Sequence, residues 1–172
     1  MPFLDLESPD LQSEVDALYN ECFGPGRFAK TAERLREGAL KLAACSFVAF
    51  QKDSLAGAAR AWSLAVDGRA AAAFVGPVAV RHAWRGDALG LSLLNAVCEA
   101  ATLEGWTHAV LIGDAPYFGR AGFAAADPAL IPPGPVASGR LLVRPLNTAS
   151  PLIGEMSPGV SLISPRAARQ AS

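Results

Sequence analysis

The chain predicts a single domain of α/β or α+β type built on a mixed central sheet, and three observations carry that expectation. Two apolar, strand-like runs at residues 69–80 and 107–112 flank a helix-like segment, a crossover that must lay the two strands parallel. Ahead of them, SFVAF, LAGAARAWSLAV and RAAAAFVGPVAV are separated by polar turns at Lys52-Asp53-Ser54 and Asp67-Gly68, the pattern of an antiparallel meander. The opening stretch, by contrast, repeats its apolar residues at helical spacing. With 172 residues, 51% of them hydrophobic and 18% charged, the chain can bury one sizeable core, and no second full domain is expected.

The elements follow in order. Ser8-Pro9-Asp10 offers a capping hydroxyl and a first-turn proline, and Leu11, Val15, Leu18 and Cys22 then mark one helix face. Gly24-Pro25-Gly26 breaks that helix, and residues 29–38 read as a second one, with Ala32 and Leu35 inward and Glu33, Arg34 and Arg36 outward. The Ala-rich third run lacks a polar stripe at helical period, so it is read as strand. Within it, Pro77 cannot donate to a ladder and Gly76 tolerates unusual dihedrals, so a bulge or break that frees backbone groups for a ligand is expected. After Arg85-Gly86 comes a helix with Ser92, Asn95, Glu99 and Thr102 on its polar face and Leu89, Leu93, Val97 and Ala100 opposite, ending at Gly105. Residues 141–146 form a further strand. Residues 1–164 make up the domain, and 165–172 read as a mobile polar tail.

Composition narrows the function classes. A net charge of −1 with scattered basic residues argues against a nucleic-acid groove or a membrane-surface patch and favours a small-molecule or peptide substrate. Cys22, Cys45 and Cys98 are odd in number and set among apolar neighbours, which predicts buried reduced thiols in a cytoplasmic protein. The N-terminus lacks a basic region followed by an apolar core, and no run reaches membrane-span length.

Residues 74–90, FVGPVAVRHAWRGDALG, carry the clearest chemistry: a broken strand leads through a short basic loop into a helix start. The first amides of a helix lack partners and carry partial positive charge, so they suit a phosphate or diphosphate. Competing chemistries are poorly supported. The GLSLL segment lacks the second glycine of a nucleophile elbow and puts Ser92 on a polar helix face. His82 and His108 belong to no HExxH pair, no CxxC exists, and GDALGLS lacks the Gly-Lys-Ser/Thr ending of a nucleotide-binding loop, so no metal site is expected.

Together with GDAPYFGRAGF at residues 113–123, this order of elements resembles the GNAT superfamily of N-acetyltransferases, in particular the bacterial YhbS-like subgroup with a GD-x-x-YYGRFGF-like segment. The likeness spans about residues 21–146, and FGPGR at 23–27 is similar as well. It implies the GNAT acyl-CoA N-acyltransferase fold, an α+β, three-layer α/β arrangement whose mixed central sheet has a bulged strand and a crossover helix. Acetyl-CoA is the implied co-substrate. The pantetheine arm would pair with the backbone of Val78, Ala79 and Val80, and the diphosphate would sit on the amides of Arg85, Gly86, Asp87, Ala88, Leu89 and Gly90. In the family's Gln/Arg-x-x-Gly-x-Gly/Ala loop, Arg85 and Gly90 match, whereas Ala88 replaces the middle glycine and Asp87 stands where a basic residue is common. Ala88 is expected to take ordinary helix-start dihedrals without strain. Asp87 reads either as a solvent-facing residue that suits the helix dipole or as one facing the diphosphate, offset by Arg81 and Arg85.

The resemblance also implies a catalytic role for Tyr117 near the cofactor sulfur, since a phenol is protonated at neutral pH and can reprotonate a departing thiolate. The alternative is a wall aromatic beside Phe118 and Phe123. No carboxylate precedes the loop in its strand, so Asp114, Glu21 and His108 are the candidates for the base, each with a structural alternative: turn former, solvated helix residue, strand histidine. A water chain is a further alternative. The implied reaction is direct attack of a primary amine, of a small molecule or peptide, on acetyl-CoA. A non-catalytic acyl-CoA-binding module is the alternative. The acceptor is expected between the opening helices and the loops after Ile112, where Trp62, Phe28 and Arg27 hint at a partly apolar pocket of no decisive charge. Many family members are dimers, so a homodimer is allowed.

Overall fold

The computed structural model describes residues 2–86, 88–148, 150–160 and 165–171. The chain begins with a short edge strand, β1 (Phe3–Leu6), paired antiparallel with β2 (Phe47–Gln51). Sequence patterning missed β1 because four residues are too few to display a period. Next comes α1 (Gln12–Phe23), which turns Val15, Leu18 and Tyr19 into the core. Its start differs from expectation: the Ser8 hydroxyl caps nothing, and the Ser8 carbonyl instead accepts the Leu11 amide at 3.0 Å in a tight turn. Gly24 at φ 69° ends α1, and α2 (Thr31–Arg36) follows.

β3 (Ser54–Val66) and β4 (Arg69–Val80) form the expected hairpin, with Asp67 at φ 51° and Gly68 at φ 75° as the primed turn that matches strand twist. The crossover helix α3 (Leu89–Leu103) returns to β5 (His108–Ile112), which runs parallel to β4 as expected. Four short elements come next: α4 (Ala115–Phe118), β6 (Ala124–Ala125), β7 (Leu130–Ile131) and β8 (Leu141–Pro145). The sheet order is β1-β2-β3-β4-β5-β8-β6, and β9 (Gly154–Pro158) joins the far end of β3 to β7. The tail expected to be mobile forms a short helix at its start, α5 (Pro165–Gln170), whose Arg166 amide donates to the Glu104 carbonyl at 2.9 Å.

Helices cover both faces of the sheet. Leu93, Leu94, Val97 and Cys98 of α3 pack on Ala59, Ala61, Ala73 and Leu111. On the opposite face Val15, Leu18 and Tyr19 meet Val48, Leu55, Ala58 and Ala79, while Leu35 meets Leu64, Phe74 and Val110. Cys45 and Cys98 are buried free thiols whose ionisation burial pushes up, to about 12 and about 11. Among the described residues no helix is long and apolar enough to cross a membrane.

Two irregularities in β4 shape the site. Arg60 of β3 lies opposite both Gly76 and Pro77, so β4 carries one extra residue there. Side-chain parity flips in consequence: Ala73 and Val75 face α3 before the bulge, Val78 and Val80 after it, and Ala79 turns to α1. Pairing with β5 moreover stops at Phe74, and the two strands splay apart beyond it. The bulge carbonyls themselves are not free, contrary to expectation. Gly76 accepts from Trp62 Nε1 at 2.7 Å and Pro77 from the Tyr19 hydroxyl at 2.9 Å, because a buried acceptor without a partner is costly. Instead, among the described residues, the β4 backbone beyond Phe74 is left without a strand neighbour on the β5 side.

Arg60 also anchors a charge cluster invisible in the sequence. Its guanidinium, only 7% exposed as a residue, donates to both Glu7 carboxylate oxygens and to Asp16 Oδ1, and lies 5.2 Å from the centre of the Tyr19 ring. Lys41 Nζ adds a 2.9 Å contact to Glu7. Burial by itself would raise the Glu7 pKa, but hydrogen bonds from Arg60 and Lys41 outweigh it and hold the carboxyl below its ordinary value.

Candidate active site

A cavity of about 350 Å³ lies where β4, the start of α3 and α4 converge. Val78, Ala79 and Val80 form one wall, Arg85, Gly86, Ala88, Leu89 and Gly90 the next, and Tyr117, Phe118 and Arg120 the third, with Cys22 and Phe23 of α1 behind. Every residue expected to hold a cofactor is therefore assembled here, except Asp87, which lies outside the described residues. The first helical bond of α3 runs from the Ser92 amide to the Ala88 carbonyl at 3.0 Å, so the amides of Leu89, Gly90 and Leu91 have no helical acceptor. With Arg85 and Arg120 beside them, these amides make a cationic cradle. Arg85 Nε also donates to the Val80 carbonyl at 3.1 Å, which ties the loop to the strand end.

Ala88 corrects an expectation. It sits at φ 57°, ψ 15°, the left-handed region, where its Cβ crowds the backbone at a cost of about 1–2 kcal/mol. Glycine would take that conformation freely. At Gly90 the constraint is spatial: a Cβ there would come within 2.5 Å of the Tyr117 hydroxyl. The phenol thus lies directly over the first turn of α3, which the spacing of the two residues in the chain does not reveal.

Tyr117 is held in place by its neighbours. Asp114 caps α4 by accepting the Tyr117 amide at Oδ2, 3.1 Å away, and the Phe118 ring stands edge-on to Tyr117 with centroids 5.0 Å apart. Asp114 is thus the turn former foreseen as its structural alternative. It also borders a second cavity, and its other carboxylate oxygen takes no part in the cap.

That second cavity, about 560 Å³, opens in the splay between residues 75–78 of β4 and residues 111–114, the end of β5 and the turn after it. It shares Phe23, Val78 and Phe118 with the first, so the two meet at Val78. Its outer wall is α2 and residues 135–140, joined by the Thr31 hydroxyl donating to the Pro135 carbonyl at 2.6 Å. The expectation of no decisive charge fails here. Arg27, Lys30, Arg36 and Arg140 all line the cavity, and Asp114 is the single carboxylate among its lining residues.

The other candidates are placed elsewhere. His108 is 4% exposed at the far end of β5, with Nε2 at 2.7 Å from the Ser150 carbonyl and Nδ1 at 2.9 Å from Thr107 Oγ1. Glu21 is exposed on α1 and lines neither cavity, and Trp62 spends its indole N–H on Gly76. Arg27 does border the second cavity, whereas the Phe28 side chain lies outside the described residues. No group of three or more possible metal ligands occurs among the described residues. Sequence reasoning missed Lys30 and Arg140 as lining residues because each is an isolated residue outside any motif, and missed Arg120 and Trp84 because, although they lie within the quoted segments, nothing local shows which way their side chains turn.

A sequence profile of the acetyltransferase (GNAT) family matches residues 13–123. The chain belongs to the GNAT family. Solved GNAT structures share its fold. YhbS of Escherichia coli, solved in complex with CoA, is 24% identical over 91% of this chain and 89% of its own, with a TM-score of 0.76. A GNAT acetyltransferase of Brucella melitensis in complex with acetyl-CoA is 19% identical over 91% and 95%, with a TM-score of 0.67. The ribosomal-protein-S18-alanine N-acetyltransferase of E. coli is 18% identical over 87% and 97%, at 0.56. No curated protein matches the chain by sequence. In the GNAT frame, Ala88 occupies the middle glycine of the loop, and its left-handed dihedral explains why glycine suits that position.

Proposed function

We propose that this GNAT chain transfers the acetyl group of acetyl-CoA to a primary amine by direct attack, with the cofactor in the cavity at the start of α3 and the amine entering through the splay between β4 and β5. The observation that carries this reading is that the two cavities meet at Val78, on the wall of the first cavity, which Tyr117 also lines. The residues present fit the cofactor: unpartnered helix amides, Arg85 and Arg120 suit a diphosphate, and the edge of β4 beyond Phe74, left by β5, suits an extended amide-bearing arm. The solved complexes of YhbS with CoA and of the Brucella protein with acetyl-CoA support the same choice of ligand.

When bound, acetyl-CoA supplies a thioester carbonyl open to an amine nitrogen. The backbone amides near Val78 polarise the carbonyl oxygen. Tyr117, oriented by the Asp114 cap and by Phe118, donates its proton to the leaving sulfur. Asp114, the one carboxylate among the described residues that line the acceptor cavity, takes the amine proton with its uncommitted oxygen, directly or through one water.

Melting curves with acetyl-CoA and a free-thiol assay against an amine panel test the reading. A hundredfold excess over Kd should stabilise the fold by about 2.7 kcal/mol. The absence of any shift would overturn the cofactor assignment. A shift without thiol release on any amine would favour a non-catalytic acyl-CoA-binding module instead.

A further inference from the structure

Most of the charge that borders the acceptor cavity is positive, and it comes from separate elements. Lys30 precedes α2, Arg36 ends it, and Arg140 leads into β8. Arg36 gives Nε and Nη2 to Glu33 Oε2 at 3.2 and 3.0 Å, which neutralises it in part. Among the described residues neither Lys30 nor Arg140 has a side-chain hydrogen bond or an ion-pair partner, although both sit at the mouth of a cavity that is otherwise largely apolar. Asp114 lines the same cavity, next to Gly113, whose amide donates to the Arg140 carbonyl at 2.9 Å. Val75, Leu111, Ile112 and Val136 supply apolar lining to the same cavity.

We infer that the acceptor is a small amine that also carries an oxyanion, a carboxylate or a phosphate, with its nitrogen toward Asp114 and its anion held by Lys30 and Arg140. The inference rests on the acetyl-transfer reading above and names its substrate class. Cations gathered at the mouth of a cleft steer and hold an anion, guanidinium pairs well with planar or tetrahedral oxyanions, and the apolar lining of the cavity takes an aliphatic spacer. A neutral amine would leave the cations without a counter-charge, and a diamine would meet them as like charge.

The experiment compares δ-aminovalerate, aminopropyl phosphate, the neutral δ-aminovaleramide and cadaverine as acceptors at saturating acetyl-CoA. The expected result is kcat/KM about tenfold higher for at least one anionic amine than for the amide, with cadaverine lowest. The better of the two anions identifies the oxyanion. Lys30→Gln and Arg140→Gln, both at exposed positions, should each bring the anion-to-amide ratio toward one while keeping the acetyl-CoA melting shift. An amide as good as both anions, or a ratio insensitive to both substitutions, overturns the inference. If no amine is acetylated, the transfer reading fails, and binding then decides the inference by itself. Protein with coenzyme A should still melt higher with an anionic amine than with the amide, and Arg140→Gln should abolish the difference. Equal melting temperatures for anion and amide would overturn it.

Discussion

β4 separates two charged regions of opposite character. Toward β3, Arg60 is buried against Glu7 and Asp16, with Lys41 and Tyr19 completing the cluster, and every charge has a partner at hydrogen-bond or ring-contact distance. Toward β5, Lys30 and Arg140 face an open cleft with no counter-charge in contact among the described residues. Burial makes the difference. A desolvated ion must find its partner inside the protein, so the Arg60 cluster is structural, whereas a solvated cation at a cavity mouth can be kept for a ligand. The same extra residue at Gly76-Pro77 serves both regions: it sits opposite Arg60 on one edge and ahead of the Val78 junction on the other.

The contrast breaks first at Glu7. Glu7→Gln leaves Arg60 with the partly exposed Asp16 as its remaining carboxylate and should cost about 3 kcal/mol, roughly 10 °C in melting temperature, while the added shift from acetyl-CoA stays the same. The pair also sets an acid limit. Because the folded Glu7 pKa is depressed, its stabilisation is present in full above the ordinary carboxylate pKa and is lost as pH falls through the depressed value. Melting temperature plotted against pH should therefore fall less steeply in acid for Glu7→Gln than for the parent chain.

On the ligand side, Tyr117→Phe should lower kcat about a hundredfold with the acetyl-CoA melting shift retained. Unchanged kcat would return Tyr117 to the wall. Gly90→Ala pushes a methyl at the Tyr117 hydroxyl, so turnover should fall about tenfold with little change in melting temperature, since the phenol is the movable end of a side chain. Smallest of all, Ala88→Gly should raise stability by roughly 0.5–1 kcal/mol, the left-handed strain relieved less the entropy of a freer unfolded glycine. A loss of stability there would show that the Ala88 methyl packs against something that outweighs its strain.

Sequence patterns were sufficient for most features whose physics is local, the Ser8 cap and the short β1 excepted. The Asp67-Gly68 turn, the bulge at Gly76-Pro77, the apolar face of α3 and the helix start at the first cavity all depend on residues a few positions apart, and all are present. Patterns also placed Tyr117 at the cavity, through the resemblance of GDAPYFGRAGF to a GNAT segment. Where they misled, the deciding contact lay elsewhere: the dihedral of Ala88 follows from how the loop docks, and His108 is taken up by Thr107 and Ser150 at the wrong end of β5. Arg60 and Glu7 are 53 residues apart, and Lys30 and Arg140 reach one cavity from opposite ends of the chain. Short-range order in the sequence therefore determined the central strands, the crossover helix and the backbone that walls the first cavity. Which charges are buried in pairs and which line an open cleft without a partner among the described residues was decided only when the chain closed, because pairing depends on distance in space and on desolvation.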